Sequence, residues 1–257
     1  MTTVLQQCSF PNGNQFITWL APGQVPQLKR NDVHVWRASL ETTSMKMEIL
    51  QHSLAVDELK RAERFRFPED RNYFISARGL LRTILGKYLN MKPGNIRLSC
   101  GPYGKPELAV ACGMELLRFN VSHSRGIALY AVTLEREIGI DLEYIRPDIA
   151  VEEIAAQFFS PDESAFLKTL SGDVSKKTFF MFWTRREALL KARGTGLAGG
   201  PGAMSEMDGG LSEDALWTLK DLDMGQDYAA ALAVEGQNPH VSFWQLENIY
   251  GDNRFVA

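Results

Sequence analysis

One pattern occurs twice in this 257-residue chain and limits the folds open to it. Phe65-Arg66-Phe67-Pro68-Glu69-Asp70 precedes a helical stretch carrying Arg78 to Leu89. Phe158-Phe159-Ser160-Pro161-Asp162-Glu163 likewise precedes one carrying Arg185 to Arg193. Proline suits the first turn of a helix, where its missing N–H has no partner to lose. The echo predicts two similar halves joined near residues 122–127. Between and around these segments the periodicity changes in blocks. Residues 32–40 alternate Val33, Val35 and Arg37 against His34, Trp36 and Ala38, the pattern of a half-buried strand. Residues 56–67 set Leu59, Ala62 and Phe65 at helical spacing with Asp57 as the cap, and a second helix is expected over 68–89. Short strands follow at 96–99, 117–121, 127–133 and 138–144, with a turn at 101–106 and the last two strands as an antiparallel pair. Helices resume at 151–159, 161–170 and 175–193. Seven glycines mark 194–210 as a loop, and 215–222, 228–234 and 241–245 read as strands. Blocks of strands and helices in this order predict an α+β chain of two pseudo-symmetric α+β subdomains, 1–123 and 124–257.

Composition removes whole classes of function. Lys plus Arg is 28 and Asp plus Glu is 31, a formal charge of −3, so the basic excess of a general nucleic-acid coat is missing. No run of 18 apolar residues is present to span a membrane. Residues 1–11 contain no Lys, Arg or apolar core, so they do not read as a secretory signal. Cys8, Cys100 and Cys112 are odd in number and scattered, which supports neither a disulfide framework nor a zinc site and fits a reducing cytoplasm. His34, His52, His123 and His240 form no H-E-x-x-H pair.

Five elements can carry chemistry. In Gly139-Ile140-Asp141-Leu142-Glu143 the two acids stand at i and i+2 of a strand, on one face and roughly 6–7 Å apart. Their repulsion is about 3 kcal/mol at an effective dielectric near 20, which a hard divalent cation would offset. A solvated strand face is the plain alternative. Glu187 and Lys191, in Trp183-Thr184-Arg185-Arg186-Glu187-Ala188-Leu189-Leu190-Lys191, are i, i+4 neighbours: either a surface ion pair or a third carboxylate with a phosphate-holding lysine one turn on. Phe119-Asn120-Val121-Ser122-His123-Ser124 places a histidine between hydroxyls at a strand end. Adjacent strand residues point apart, and no G-x-S-x-G elbow exists, so Ser122 and His123 fit anion recognition better than nucleophilic catalysis. Tyr103-Gly104-Lys105-Pro106 is a turn that can lie under a heterocycle while Lys105 reaches an anion, or simply a turn. Arg71, Arg78 and Arg82 give the second helix a basic face; Arg71 and Arg78, seven apart, share a side.

Taken with Phe159-Ser160-Pro161-Asp162-Glu163, these motifs in this order resemble the 4′-phosphopantetheinyl transferases, in particular the long, two-lobed Sfp-type branch, over roughly residues 55–200. The resemblance implies transfer of phosphopantetheine from coenzyme A to a serine of an apo acyl or peptidyl carrier protein, with release of adenosine 3′,5′-bisphosphate. It implies two pseudo-symmetric α+β halves with the active site in the cleft between them. By the same resemblance Asp141, Glu143 and Glu187 would hold Mg²⁺, with Mn²⁺ as the alternative ion. Ser122, His123 and Lys191 would contact phosphate oxygens, Gly104, Lys105 and Pro106 would border the adenine, and Arg71 and Arg78 would lie towards the 3′-phosphate. Glu187 or a metal-bound water would take the serine proton. Arg186 stands where many relatives have lysine, which keeps the charge but changes the donor geometry.

An acidic carrier helix would need a local patch on this net acidic chain. Arg185, Arg186 and Arg193 are one choice; Leu197 and Met204 on the glycine-rich loop are another. A monomer in the cytoplasm is expected. Two other functions compete: a metal-dependent nucleotide pyrophosphatase and a non-catalytic coenzyme A-binding protein. The presence of Asp141, Glu143, Glu187 and Lys191 together argues against the latter.

Overall fold

A computed structural model describes residues 17–21, 27–101, 104–109, 116–195 and 217–246. Cys8, Tyr103, Cys112, Leu197, Met204 and most of the glycine-rich segment lie outside the described residues. The chain forms two compact units, one containing residues 18–137 and the strand at 240–245, the other residues 138–238. No helix among the described residues is long and apolar enough to cross a membrane.

In the first unit, β1 (Asp32–Ser39) sits inside a four-stranded sheet ordered β4-β5-β1-β9. β4 (Leu117–Ser124) and β5 (Ile127–Leu134) form an antiparallel hairpin, β5 runs antiparallel to β1, and β9 (His240–Gln245) runs parallel to β1. A small hairpin, β2 (Leu98–Cys100) with β3 (Pro106–Leu108), stands beside it. Helices α1 (Ser44–His52), α2 (Val56–Ala62) and α3 (Pro68–Leu89) supply Leu50, Ala62, Ile75, Leu81, Ile84 and Leu85 to a core completed by Trp36, Tyr130 and Val132 of the sheet. Pro68 opens α3, and Asn90 ends it in the left-handed region at φ 51°. A polar network is built into this core. Trp36 Nε1 donates to Tyr88 Oη at 2.8 Å, which leaves the Tyr88 hydroxyl proton for His34 Nδ1, also at 2.8 Å. Burial pushes the His34 pKa down to about 4, so the ring is neutral there.

In the second unit, β6 (Ile138–Tyr144), β8 (Tyr228–Glu235) and β7 (Trp217–Asp221) form an antiparallel sheet ordered β6-β8-β7. Helices α4 (Val151–Phe158), α5 (Pro161–Lys168) and α6 (Gly172–Arg193) intervene between β6 and β7. Ser160 and Glu163 cap α5 reciprocally, side chain to backbone in both directions. Phe159, Phe179, Phe180 and Phe182 pack together in the core.

Apart from the β2–β3 hairpin of the first unit, the same topology therefore occurs twice among the described residues: a strand, three helices, then a hairpin whose second strand pairs antiparallel with the first. In each half the long third helix has 22 residues. The echo that predicts this lies on helices of different rank, however. Phe67-Pro68 opens α3, the third helix of its half, whereas Ser160-Pro161 opens α5, the second. The expected division at 123/124 cuts the β4–β5 hairpin; the structure divides at 137/138, because β5 belongs with β1 of its own half. For the same reason the strands at 127–134 and 138–144 are not partners: β5 pairs with β1 and β4, and β6 with β8. β1 is buried on both faces rather than one, since Val33, His34, Val35 and Trp36 are all at most 3% exposed. Helix α1 has no counterpart in the sequence reading, and the turn at 101–106 gives way to strand already at Pro106.

Candidate active site

The approach of α6 to β6 creates the main cluster. Gly139, Asp141 and Glu143 alternate onto one face of β6, paired in register with Ala233, Ala231 and Ala229 of β8. Ala188 and Ala192, one helical turn apart on α6, pack against Ala231 and Ala233. With no side chain at Gly139, the α6 backbone comes down onto the strand. A Cβ there would lie 1.9 Å from the Ala188 carbonyl oxygen and 2.5 Å from the Ala192 nitrogen. Glu187 and Lys191 immediately precede these alanines, so the same contact delivers their side chains to the acids of β6. Lys191 Nζ donates to Asp141 Oδ1 at 2.6 Å. Gly194, at φ 68°, stops the helix just beyond, with Thr195 N–H bonded to the Leu190 carbonyl.

The charges are strongly coupled. Burial pushes the Glu143 pKa up to about 7; Asp141 adds to the rise, while Lys191 and Arg146 oppose it. Glu187 is raised as well, by burial first and by Asp141 second, with Lys191 opposing. Its Oε1 is buried and has no hydrogen-bond partner among the described residues. Asp141 is only 3% exposed. The structure thus gathers three hard oxygen donors and one ammonium on a single face of one unit. Among the described residues no group of three or more acidic, histidine or cysteine side chains is placed so that it could hold a metal ion as it stands.

The remaining sequence candidates belong to the other unit. Ser122 is buried and His123 exposed, adjacent on β4. Gly104 takes a positive φ of 80°, and its N–H bonds the Gly101 carbonyl at 2.9 Å, which tightens the turn before the buried Pro106. Lys105 Nζ reaches an acid of the protein itself, Glu137 Oε2 at 3.3 Å, and Arg118 holds the other oxygen of Glu137 at 3.1 Å. Arg71 is exposed in the first turn of α3. Arg78 lies 5.8 Å over the Phe74 ring, and burial lowers its pKa against the pull of Glu58. Arg82 does not join a basic surface: it is buried against Glu58 at 2.8 Å and also donates to the Pro93 and Ile96 carbonyls.

The arginines considered for carrier recognition have internal tasks. Arg185 forms a two-pronged pair with Asp221 at 2.7 and 2.5 Å. Arg186 pairs with Glu163, donates to the Phe158 carbonyl at 3.0 Å and lies 5.0 Å over the Phe159 ring. Arg193 lies 6.0 Å over Trp217. Sequence reading misses these roles and that of Gly139. The signal for the glycine was present: it stands two residues before Asp141, on the same strand face.

Comparison with known proteins follows the same division. A sequence model of the 4′-phosphopantetheinyl transferase superfamily matches residues 137–233, and one described as 4′-phosphopantetheinyl transferase, N-terminal, matches residues 34–134. The chain is 40% identical to the 4′-phosphopantetheinyl transferase HetI of Nostoc sp. (strain PCC 7120) over 235 residues, covering 88% of this chain and 98% of that one. It is 31% identical over 175 residues to the 4′-phosphopantetheinyl transferase psf-1 of Bacillus pumilus, 68% of this chain and 71% of that one. To the 4′-phosphopantetheinyl transferase Sfp of Bacillus subtilis (strain 168) it is 30% identical over 147 residues, 56% of this chain and 62% of that one. The two halves of one topology, the carboxylate cluster on β6 and α6, and these matches over both halves agree: the chain belongs to the 4′-phosphopantetheinyl transferase family and is an enzyme of the transferase class.

Proposed function

We propose that this transferase moves the 4′-phosphopantetheine group of coenzyme A onto a serine hydroxyl of an apo acyl or peptidyl carrier protein, as a cytoplasmic monomer using Mg²⁺. The serine oxygen attacks the phosphorus next to the pantetheine arm, and the bond from that phosphorus to adenosine 3′,5′-bisphosphate breaks. The observation that carries this reading is the meeting of Asp141, Glu143, Glu187 and Lys191 on one face, forced by the contact at Gly139.

The residues fit a hard divalent ion. A buried carboxylate oxygen without a donor, at Glu187, and two glutamates whose ionisation is resisted by burial and by Asp141 are the environment that a cation relieves. Mg²⁺ keeps several waters and binds substrate phosphates through one or two carboxylates, so a closed protein cage is not required of the site. Asp141, Glu143 and Glu187 would hold it, and when bound it supplies charge neutralisation on the pyrophosphate oxygens.

The chain's own groups account for the rest. Lys191, steered by Asp141, donates to a phosphate oxygen, as do His123 and Ser122. Glu187, whose buried Oε1 has no donor among the described residues, accepts the serine proton. Gly104, Lys105 and Pro106 border the adenine, with the Lys105 ammonium held by Glu137. Arg71 and Arg78 serve the 3′-phosphate, whose anionic oxygens suit a guanidinium.

The test is intact-protein mass spectrometry of an apo carrier incubated with the enzyme, coenzyme A and Mg²⁺. The carrier is expected to gain one phosphopantetheine in the full reaction, and to gain none with EDTA or with Glu187→Gln. Absence of labelling across fatty acid, polyketide and peptide carriers would sink the proposal.

A further inference from the structure

The β4–β5 hairpin closes on the pair Ser124 and Ile127, which leaves a two-residue loop, Arg125-Gly126. Both loop residues have positive φ, 40° at Arg125 and 77° at Gly126. Two positive values in succession are the pattern of a type I′ turn, whose twist matches that of the strands it joins. Gly126 suits its place. The preceding place favours Asn, Asp or Gly, because a Cβ is crowded in the left-handed region and only a short polar side chain can offset this by bonding the local backbone. Arginine offers neither advantage.

The turn is not slack enough for the strain to dissipate. Leu40 N–H bonds the Gly126 carbonyl at 2.7 Å, and a Cβ on Gly126 would stand 3.3 Å from Tyr73 Oη and 3.5 Å from Glu41 Oε1. Arg125 is therefore held in a conformation that costs stability and that a different residue would relieve. Unfavourable backbone kept in place by its surroundings concentrates at ligand sites. Arg125 is exposed, as is His123 two residues earlier on the same hairpin. A guanidinium presents a rigid fork of donors matched to phosphate.

We infer that Arg125 is a further phosphate-binding residue of this enzyme, presented at the hairpin tip to an anionic group of coenzyme A beside Ser122 and His123. The inference rests on the coenzyme A reading of those two residues. The plain alternative is that Arg125 only serves an acid of the protein itself, such as Glu41, whose Oε1 would stand 3.5 Å from a Cβ on Gly126.

Two substitutions in the full-length chain separate these. Arg125→Asn supplies the residue that a type I′ turn prefers; Arg125→Lys keeps the charge but loses the fork. Thermal melting and calorimetric titration with coenzyme A, and with its analogue lacking the 3′-phosphate, are the measurements. For Arg125→Asn the melting temperature is expected to stay level or rise by ~2–4 °C, while coenzyme A affinity falls roughly tenfold, the order of one lost charge-assisted hydrogen bond. Arg125→Lys should fall between. A loss of affinity for coenzyme A but not for the analogue assigns the 3′-phosphate; an equal loss for both assigns the pyrophosphate. Unchanged coenzyme A affinity in Arg125→Asn, or a lowered melting temperature, overturns the inference. A wild-type chain that binds no coenzyme A overturns the functional reading instead, which keeps the two failures distinct.

Discussion

Glu143 and Glu187 hold protons more tightly in the folded chain than a free glutamate does, because burial and the Asp141 charge both disfavour their ionisation. The consequence for pH has a definite sign. A carboxyl raised on folding leaves stability undiminished below its unfolded value and lowers it as pH climbs towards the folded value, here from about 4.5 to about 7 for Glu143. A divalent cation competes with the same protons, so its binding strengthens over the same window. Saturating Mg²⁺ is expected to raise the melting temperature little at pH 5.5 and clearly at pH 8, and Glu143→Gln should flatten that difference. Thermal melts at both pH values are the check, and an increment that shrinks with pH would contradict this account. At this scale the acids themselves were readable, since spacings of two on a strand and four on a helix are local geometry. The company of Arg185, Arg186 and Arg193 was not, because Asp221, Glu163 and Trp217 lie 36, 23 and 24 positions away.

Among the elements, α6 against β6 decides the site. Side chains ordinarily hold a helix off the strand it packs on, but the Gly139, Ala188, Ala192, Ala231 and Ala233 surface removes those that would hold α6 off. The Gly139→Ala substitution puts a methyl group into helix backbone, which cannot rotate away. We expect it to destabilise the chain by about 1–3 kcal/mol, the usual range for overpacking, and to lower carrier modification more than ~10-fold, since a shift of about an ångström at a reacting group has that effect. Steady-state labelling and a thermal melt measure the two together. Near wild-type turnover would show that close approach of α6 is dispensable. The ends of α3 were legible from Pro68 and the chain after Leu89, because caps are local chemistry. The partners of β5 and β6 were not, since strand order is settled by which apolar faces can be covered at once.

For the whole molecule, the notable path is that of the last strand. After the second half is complete at β8, the chain returns to the first sheet, where β9 pairs with Asp32–Arg37 of β1 and sets Trp244 against Trp36 and His34. The first half is therefore not independent of the end of the chain. A protein truncated after Asn238 should keep β6, β8 and α6 but expose one edge of β1, an invitation to aggregation. Hydrogen exchange would report this as faster exchange at β1 amides with β8 unchanged. Equal protection of β1 in the truncated and full-length chains would show that β9 adds nothing to the first half.

By itself the sequence determined most of the helices and strands, α1 and β3 excepted, the α+β class and the identities of the acids and the lysine. These rest on periodicity, capping and residue chemistry, all of which act over a few positions. Tertiary structure alone decided where the halves divide, which strands pair, that Lys191 lies on Asp141, and that Gly139 is the contact bringing Glu187 and Lys191 to the strand. Those depend on which surfaces pack together across 50 or more residues, and burial rather than local preference selects among them.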